Sequence, residues 1–291
     1  MVVNIMKNLR IIKFSVSLCL LLSTEFAIAD NAIIVWNRLP DNPVSYKILQ
    51  RALDVTSKEF GRYQLAPSIP IEQGRMIVEL TKNQRVHVAS FAPTKEREQA
   101  LLPVRIPVNK GLLGYRVCLI KQGEQNKFSD IRTLEEWKKK GLTIGQGAHW
   151  PDTGILESNG IKVVKSAKYD TLFTMLSKKR YDCFSRSVTE VLPELEKYKA
   201  LGLVLEKKLM LVYRLPSFFF VSRKNAKLAQ RLEKGMHAML KTGELDKILN
   251  QYYRELFNNI DFDGRHIIEL KNNLLTDKTN KLSTDSKLWI K

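Results

Sequence analysis

The residues best suited to grip a charged ligand lie between Val86 and Arg97, where a short β-prone run, Val86-His87-Val88-Ala89-Ser90-Phe91, meets Ala92-Pro93 and stops. Ser90, Thr94 and Arg97 therefore gather beyond the C-terminal end of a strand, where open α/β sheets hold their ligands. An Arg there offers a planar fork of donors for a carboxylate or phosphate, and two hydroxyls stand ready to share the anion. The plainer reading is a surface Arg in a charged loop. Further along, Gly145-Gln146-Gly147-Ala148-His149-Trp150 leaves a second strand, Leu142-Thr143-Ile144. Small residues let backbone N–H groups approach an anion, and the helix that follows points its positive end at the same place. Gly147, His149 and Trp150 are candidates on that account. So are Ser185 and Ser187, which leave a third strand beside Arg186, and Trp36, which follows the first strand and presents a face for stacking. For Trp36 core packing is the competing reading; for Arg186 it is exposure to solvent.

Those residues need a scaffold, and the periodicities supply one. A strand at Ala32 to Val35 leads to a helix with Asn42 as cap, Pro43 in its first turn, and Val44, Ile48, Leu49, Ala52, Leu53 and Phe60 on one face up to Gly61. A second helix covers Glu72 to Lys82, and the strand at Val86 to Ser90 delivers the Arg97 stretch. Lys110 to Gly114 reads as a crossing between two lobes. The second lobe repeats the grammar: a helix capped by Ser129 or Asp130 and closed by Gly141, then strands at 142–144, 161–164, 181–185 and 203–212, with helices at 169–178 and 188–198. A strand at Ser217 to Val221 crosses back into two helices broken at Thr242-Gly243. Beyond Asn258 the chain reads as an irregular tail, with Ile267-Ile268 and Trp289 as anchors.

The N-terminus carries Lys7, Arg10 and Lys13, an apolar run from Phe14 to Leu22, and Ala27-Ile28-Ala29 before Asp30. This is the pattern of a cleaved secretory leader, too short for a span of about 20 apolar residues. The formal charge is +18; removing the leader's three bases and one acid leaves +16. That balance favours an anionic partner, yet the basic residues are dispersed and lack the aromatic-basic spacing of a nucleic-acid platform. Cys118 and Cys183 remain after the leader, without metal-ligand spacing, open between a disulfide and two buried thiols. No metal or cofactor is expected.

The order of parts resembles the extracytoplasmic solute-binding proteins of the amino-acid type, family 3, with the type II periplasmic binding fold. Thr94-Lys95-Glu96-Arg97 is similar to that family's Thr-x-x-Arg, Leu142 to Gly147 to its lobe-two strand and glycine loop, Arg180 to Phe184 to its Gly-Arg-x-Asp turn and strand, and 217–253 to its return strand and helix pair. The resemblance implies a mixed α/β chain of two lobes joined by crossing strands: leader 1–29, lobe 1 from 30–108 and 216–260, lobe 2 from 109–215, and a C-terminal extension 261–291. It also implies a hinged cleft in which Arg97 holds the ligand's carboxylate. Ser187 stands where the family places an ammonium-binding Asp, Ala92 where it places a hydroxyl, Ala148-His149 where it continues the glycine loop with Thr, and Trp36-Asn37-Arg38 where it has a Gly-rich opening. The expectation is a periplasmic monomer, not an enzyme, that binds a small carboxylated or otherwise anionic solute and serves a permease or a sensor. The alternatives are a dehydratase-like enzyme or regulatory lobe on the same fold, and a cationic binder of envelope polymer.

Overall fold

In the computed structural model residues 32–290 are described; the leader and cleavage site expected from the sequence lie outside the described residues. β1 (Ala32–Val35) feeds α1 (Pro43–Asp54), whose N-terminus is closed by Asn42 Oδ1 accepting from the Ser45 amide at 3.0 Å. Its buried face is Val44, Ile48, Leu49, Ala52 and Leu53. Phe60 belongs to a separate turn, α2 (Ser57–Phe60), because the Thr56 hydroxyl bonds back to the carbonyls of Ala52 and Leu53 where α1 stops. After β2 (Gln64–Pro67) come α3 (Gln73–Lys82), β3 (Val88–Phe91), α4 (Lys95–Ala100) and β4 (Leu101–Val104).

The second lobe begins with β5 (Tyr115–Lys121) and α5 (Leu134–Lys140). Thr133 caps α5, in place of Ser129 or Asp130, because Glu136 three residues on completes a reciprocal capping box. β6 (Thr143–Gly147), α6 (Pro151–Ser158), β7 (Lys162–Ser166), α7 (Tyr169–Ser177), β8 (Cys183–Ser187), α8 (Val191–Lys197), β9 (Leu203–Leu205) and β10 (Leu209–Val212) follow. The return strand β11 (Phe218–Ser222) then leads into α9 (Ala226–Thr242) and α10 (Glu244–Asn259), separated by Gly243 at φ 74°. The remainder is not irregular: it contains β12 (His266–Glu269) and α11 (Asp277–Lys281).

Two sheets result. One has the order β2-β1-β3-β11-β4, the other β12-β10-β5-β8-β6-β7 with β9 also on β5. In the first, β1 is parallel to β2 and β3 while β11 runs antiparallel between β3 and β4. All five β11 residues are buried, since the strand is covered on both sides: Phe219 packs with the α1 and α9 residues Ile48 and Met236, and Phe218 and Phe220 pack with Met76 and Phe91. In the second sheet a disulfide joins Cys118 of β5 to Cys183 of β8. It closes a loop of 65 residues and ties the middle of lobe 2 together.

The two connectors touch as they pass between lobes. Val108 N donates to Ser217 O at 2.9 Å, and Tyr213 N to Gly114 O at 3.1 Å. A Cβ on Gly114 would fall 1.8 Å from the Tyr213 carbonyl oxygen, so the crossing admits only glycine without a backbone shift. Gly114→Ala is expected to lose about 1–3 kcal/mol, as overpacking generally does. A thermal melt checks this; an unchanged Tm would mean that the connectors yield freely.

Candidate functional site

α4 starts where β3 ends, and Thr94 is its N-cap, accepting from the Arg97 amide at 3.2 Å. The cap turns the Arg97 side chain toward the other lobe. Only 7% of Arg97 is exposed; Nη1 donates to Ala92 O at 2.7 Å, and Nη2 crosses to His149 O of lobe 2 at 2.8 Å. The guanidinium also lies over the Phe91 ring, 5.1 Å from its centroid. Burial lowers the Arg97 pKa to about 10, with Asp152 and Glu96 pulling the other way. The group therefore remains a cation at neutral pH, held at the boundary between lobes with two of its five N–H donors committed to the backbone.

Facing Arg97, the end of β6 presents Ala148, His149 and Trp150. Gly147 permits this, because a Cβ there would meet the Trp150 indole at 2.5 Å. Trp150 stacks on Phe184 with centroids 6.2 Å apart and carries the Arg186 guanidinium 4.8 Å from its own. His149 leans on lobe 1, close enough that a Cβ on Gly74 would come within 2.8 Å of its ring. Between these surfaces lies a groove of about 490 Å³ whose walls include Gly74, Ile77, Thr94 and Arg97 from one lobe, Ala148, His149, Trp150 and Gly154 from the other, and Leu274 of the C-terminal segment. Its walls are mainly apolar, with Arg97 as the buried cation and the exposed Glu96 as an acidic residue beside it. A second contact between lobes sits elsewhere: Arg38, paired with Glu72 at 2.9 Å, places its guanidinium 4.6 Å from the Tyr169 ring centroid.

Of the residues expected at the site, Thr94, Arg97, His149 and Trp150 converge on this groove; the other five are placed differently. Trp36 is buried in the lobe-1 core with Met76 and Phe91, and its Nε1 donates to Ile71 O at 3.0 Å, so no ring face is left for stacking. Ser90 Oγ is 2.8 Å from Ser217 Oγ and links β3 to the return connector. Gly147 acts through Trp150. Ser185 and Ser187 are fully buried on β8; Ser187 Oγ donates to Leu112 O at 3.1 Å and is 2.9 Å from Thr189 Oγ1. Arg186 is buried, not solvated: Glu194 holds it through Nε (2.8 Å) and Nη2 (2.6 Å), and Glu190 approaches Nη2 at 2.9 Å.

One cluster has no counterpart in the sequence reading. Asp152, at the start of α6, forms an ion pair with Arg116 Nη2 at 3.0 Å and accepts from the Tyr213 hydroxyl at 2.5 Å. Its members come from α6, β5 and the second connector, so no spacing along the chain could announce them. Among the described residues, no group of three or more His, Cys, Asp or Glu side chains is placed to hold a metal ion, and no helix is long and apolar enough to cross a membrane.

No family model and no curated protein sequence matches the chain. Solved structures do. An ancestral arginine-binding protein bound to arginine is similar with 18% identity and a TM-score of 0.56, covering 78% of this chain and 98% of its own. The substrate-binding protein of an amino-acid ABC transporter aligns at 17% identity and a TM-score of 0.56, over 77% and 100% of the two chains. A histidine kinase sensor domain with similarity to periplasmic binding proteins aligns at 15% and 0.55, over 77% and 96%. With its two mixed sheets, paired connectors and groove between lobes, the chain has the two-lobe α/β fold of the type II periplasmic binding proteins.

Proposed function

We propose that this chain is an extracytoplasmic solute-binding protein whose groove takes a small carboxylated or otherwise anionic solute and presents it to an ABC-type permease or a sensor kinase. The observation that carries the reading is Arg97, a cation held almost out of water at the lobe boundary, its charge set among apolar walls. A buried guanidinium with donors to spare is worth most to a ligand that brings the opposite charge. The neighbours named for arginine and amino-acid binding support a small solute that carries a carboxylate, and the sensor domain among them supports the second destination. For a free ammonium group the groove wall provides Glu96 as its carboxylate, exposed to water, and no buried one. Ser187 stands at the expected acidic position with its hydroxyl already bonded, and the carboxylate of Asp152 is engaged by Arg116 and Tyr213.

The basic leader followed by Ala27-Ile28-Ala29 supports delivery across the inner membrane, and a disulfide belongs in the oxidising space beyond it. Binding without turnover completes the proposal, because the groove offers a fixed cation and no pair of carboxylates for acid–base work.

A thermal-shift screen of the mature chain tests this against carboxylic acids, amino acids, sugars, polyamines and phosphates. A ligand at a hundred times its Kd stabilises the folded state by about 2.7 kcal/mol. The expected result is a selective rise in Tm with one anionic class and recovery of that ligand chemically unchanged. Shifts only by polyamines or neutral sugars would overturn the ligand class, and conversion of the ligand would overturn the binding-only role.

A further inference from the structure

The 30 described residues after Ile260 do more than extend a helix pair: they cross between the lobes twice. Having left α10 in lobe 1, the chain enters lobe 2, where β12 pairs in parallel with β10 from Leu209↔His266 to Val212↔Glu269. Arg265 secures that entry by donating to the Glu206 and Leu209 carbonyls at 2.7 and 2.9 Å, and Ile268 and Leu270 join the lobe-2 core. The Lys271 backbone is then gripped on both sides by Asn159, at 3.1 and 2.8 Å. Three residues later the anchorage is in the other lobe. Leu274 O accepts from Lys95 N at 3.0 Å, at the first residue of α4.

Beyond that point the segment is fastened to lobe 1 by Glu98, whose buried carboxylate accepts from Thr276 Oγ1 at 3.1 Å, Thr279 Oγ1 at 2.6 Å and Arg105 Nη2 at 2.6 Å. It ends on the first connector, where Ile290 N donates to Lys110 O at 3.0 Å and the Trp289 ring lies against Gly111.

We propose that this C-terminal segment is a clasp: it holds the lobes near the arrangement seen here, and the groove opens only when the lobe-1 half, from Leu274 onward, lets go. The reasoning is geometric. A hinge of two adjacent connectors leaves the far rim free, but Lys271 and Leu274 fasten that rim with a chain that can span no more than about 11 Å when fully extended. Any wider opening breaks either the Asn159 grip or the bond between Leu274 O and Lys95 N, and beyond about 18 Å the Glu98 cluster at Thr276 must yield as well. Leu274 also lines the groove beside Arg97, so release of the clasp and access to the cation are the same event.

The test reads lobe separation with no ligand present and so stands apart from the binding proposal. Dyes are placed at Lys58→Cys in lobe 1 and Lys139→Cys in lobe 2, both exposed, in the full mature chain. Single-molecule energy transfer is then compared among the intact protein, a Thr276→Val, Thr279→Val variant, and a protein with a protease recognition sequence inserted between Asn272 and Asn273. The inserted protein is measured before and after cutting, which follows folding and purification, so a variant that fails to fold does not decide the matter. One narrow distribution is expected for the intact chain, with a longer-distance population appearing once the insertion lengthens the Lys271–Leu274 span or cutting severs it. An intact chain that already samples both distances, or a cut chain that keeps the single one, overturns the clasp.

Discussion

Arg97→Ala is expected to abolish solute binding while leaving a folded protein. Truncating one partner of a desolvated, hydrogen-bonded charge pair costs about 2–5 kcal/mol, roughly 30-fold to several thousand-fold in Kd. The folded state should tolerate the change, because burial works against the Arg97 charge and the His149 residue that it contacts is exposed to water. Arg97→Lys separates charge from shape. A lysine keeps the cation but cannot reproduce a fork that reaches Ala92 O and His149 O while facing a carboxylate, so binding should fall between wild type and the Ala variant. Calorimetric titration with the ligand class found by thermal shift measures all three. Normal affinity in Arg97→Ala would move the site away from α4 altogether.

That arginine was legible because its signal is local: a strand that stops at Ala92-Pro93 and a threonine three residues before an arginine define a capped helix start wherever they occur. The same holds for Asn42-Pro43 and for the glycine loop after β6. The C-terminal segment is illegible for the opposite reason. β12 has a single buried isoleucine, with Ile267 exposed, and it becomes a strand only because the open edge of β10 lies beside it. No periodicity in four residues can report a neighbour supplied by another part of the chain. Trp36 shows a different limit: its position after a strand was read correctly, but whether the ring turned outward or inward depended on Met76 and Phe91. Nor could sequence choose between a disulfide and two thiols, since the pairing rests on β5 and β8 being neighbours.

For Arg186 the sequence offers the cleft or solvent, because the partner that buries it is not local. Its counter-charge, Glu194, sits eight residues on in a different element, and the two meet only because α8 packs back over the β8 face that carries Phe184. The pair lies directly beneath the groove, since Arg186 supports the Trp150 ring at 4.8 Å and the Tyr169 hydroxyl donates to Glu194 Oε1 at 2.5 Å. Burial pushes the Glu194 carboxyl above its ordinary range, with Arg186 opposing that rise. Glu194→Ala strands a buried guanidinium. Breaking such a pair costs about 3–5 kcal/mol, and the remaining contact to Glu190 places this case at the lower end, about 3 kcal/mol. Glu190→Ala should cost less than about 1 kcal/mol, because the Glu190 side chain is 30% exposed and Glu194 keeps the guanidinium engaged. Replacing both charges with Arg186→Met and Glu194→Leu should recover part of the loss, because an apolar pair of similar volume leaves no buried charge unpaired, although the Tyr169 hydroxyl loses its acceptor. Denaturant unfolding of the four proteins gives the comparison. If Glu194→Ala proved no costlier than Glu190→Ala, the guanidinium would have to reach water in the folded state, and Trp150 would lose the fixed support that the groove requires of it.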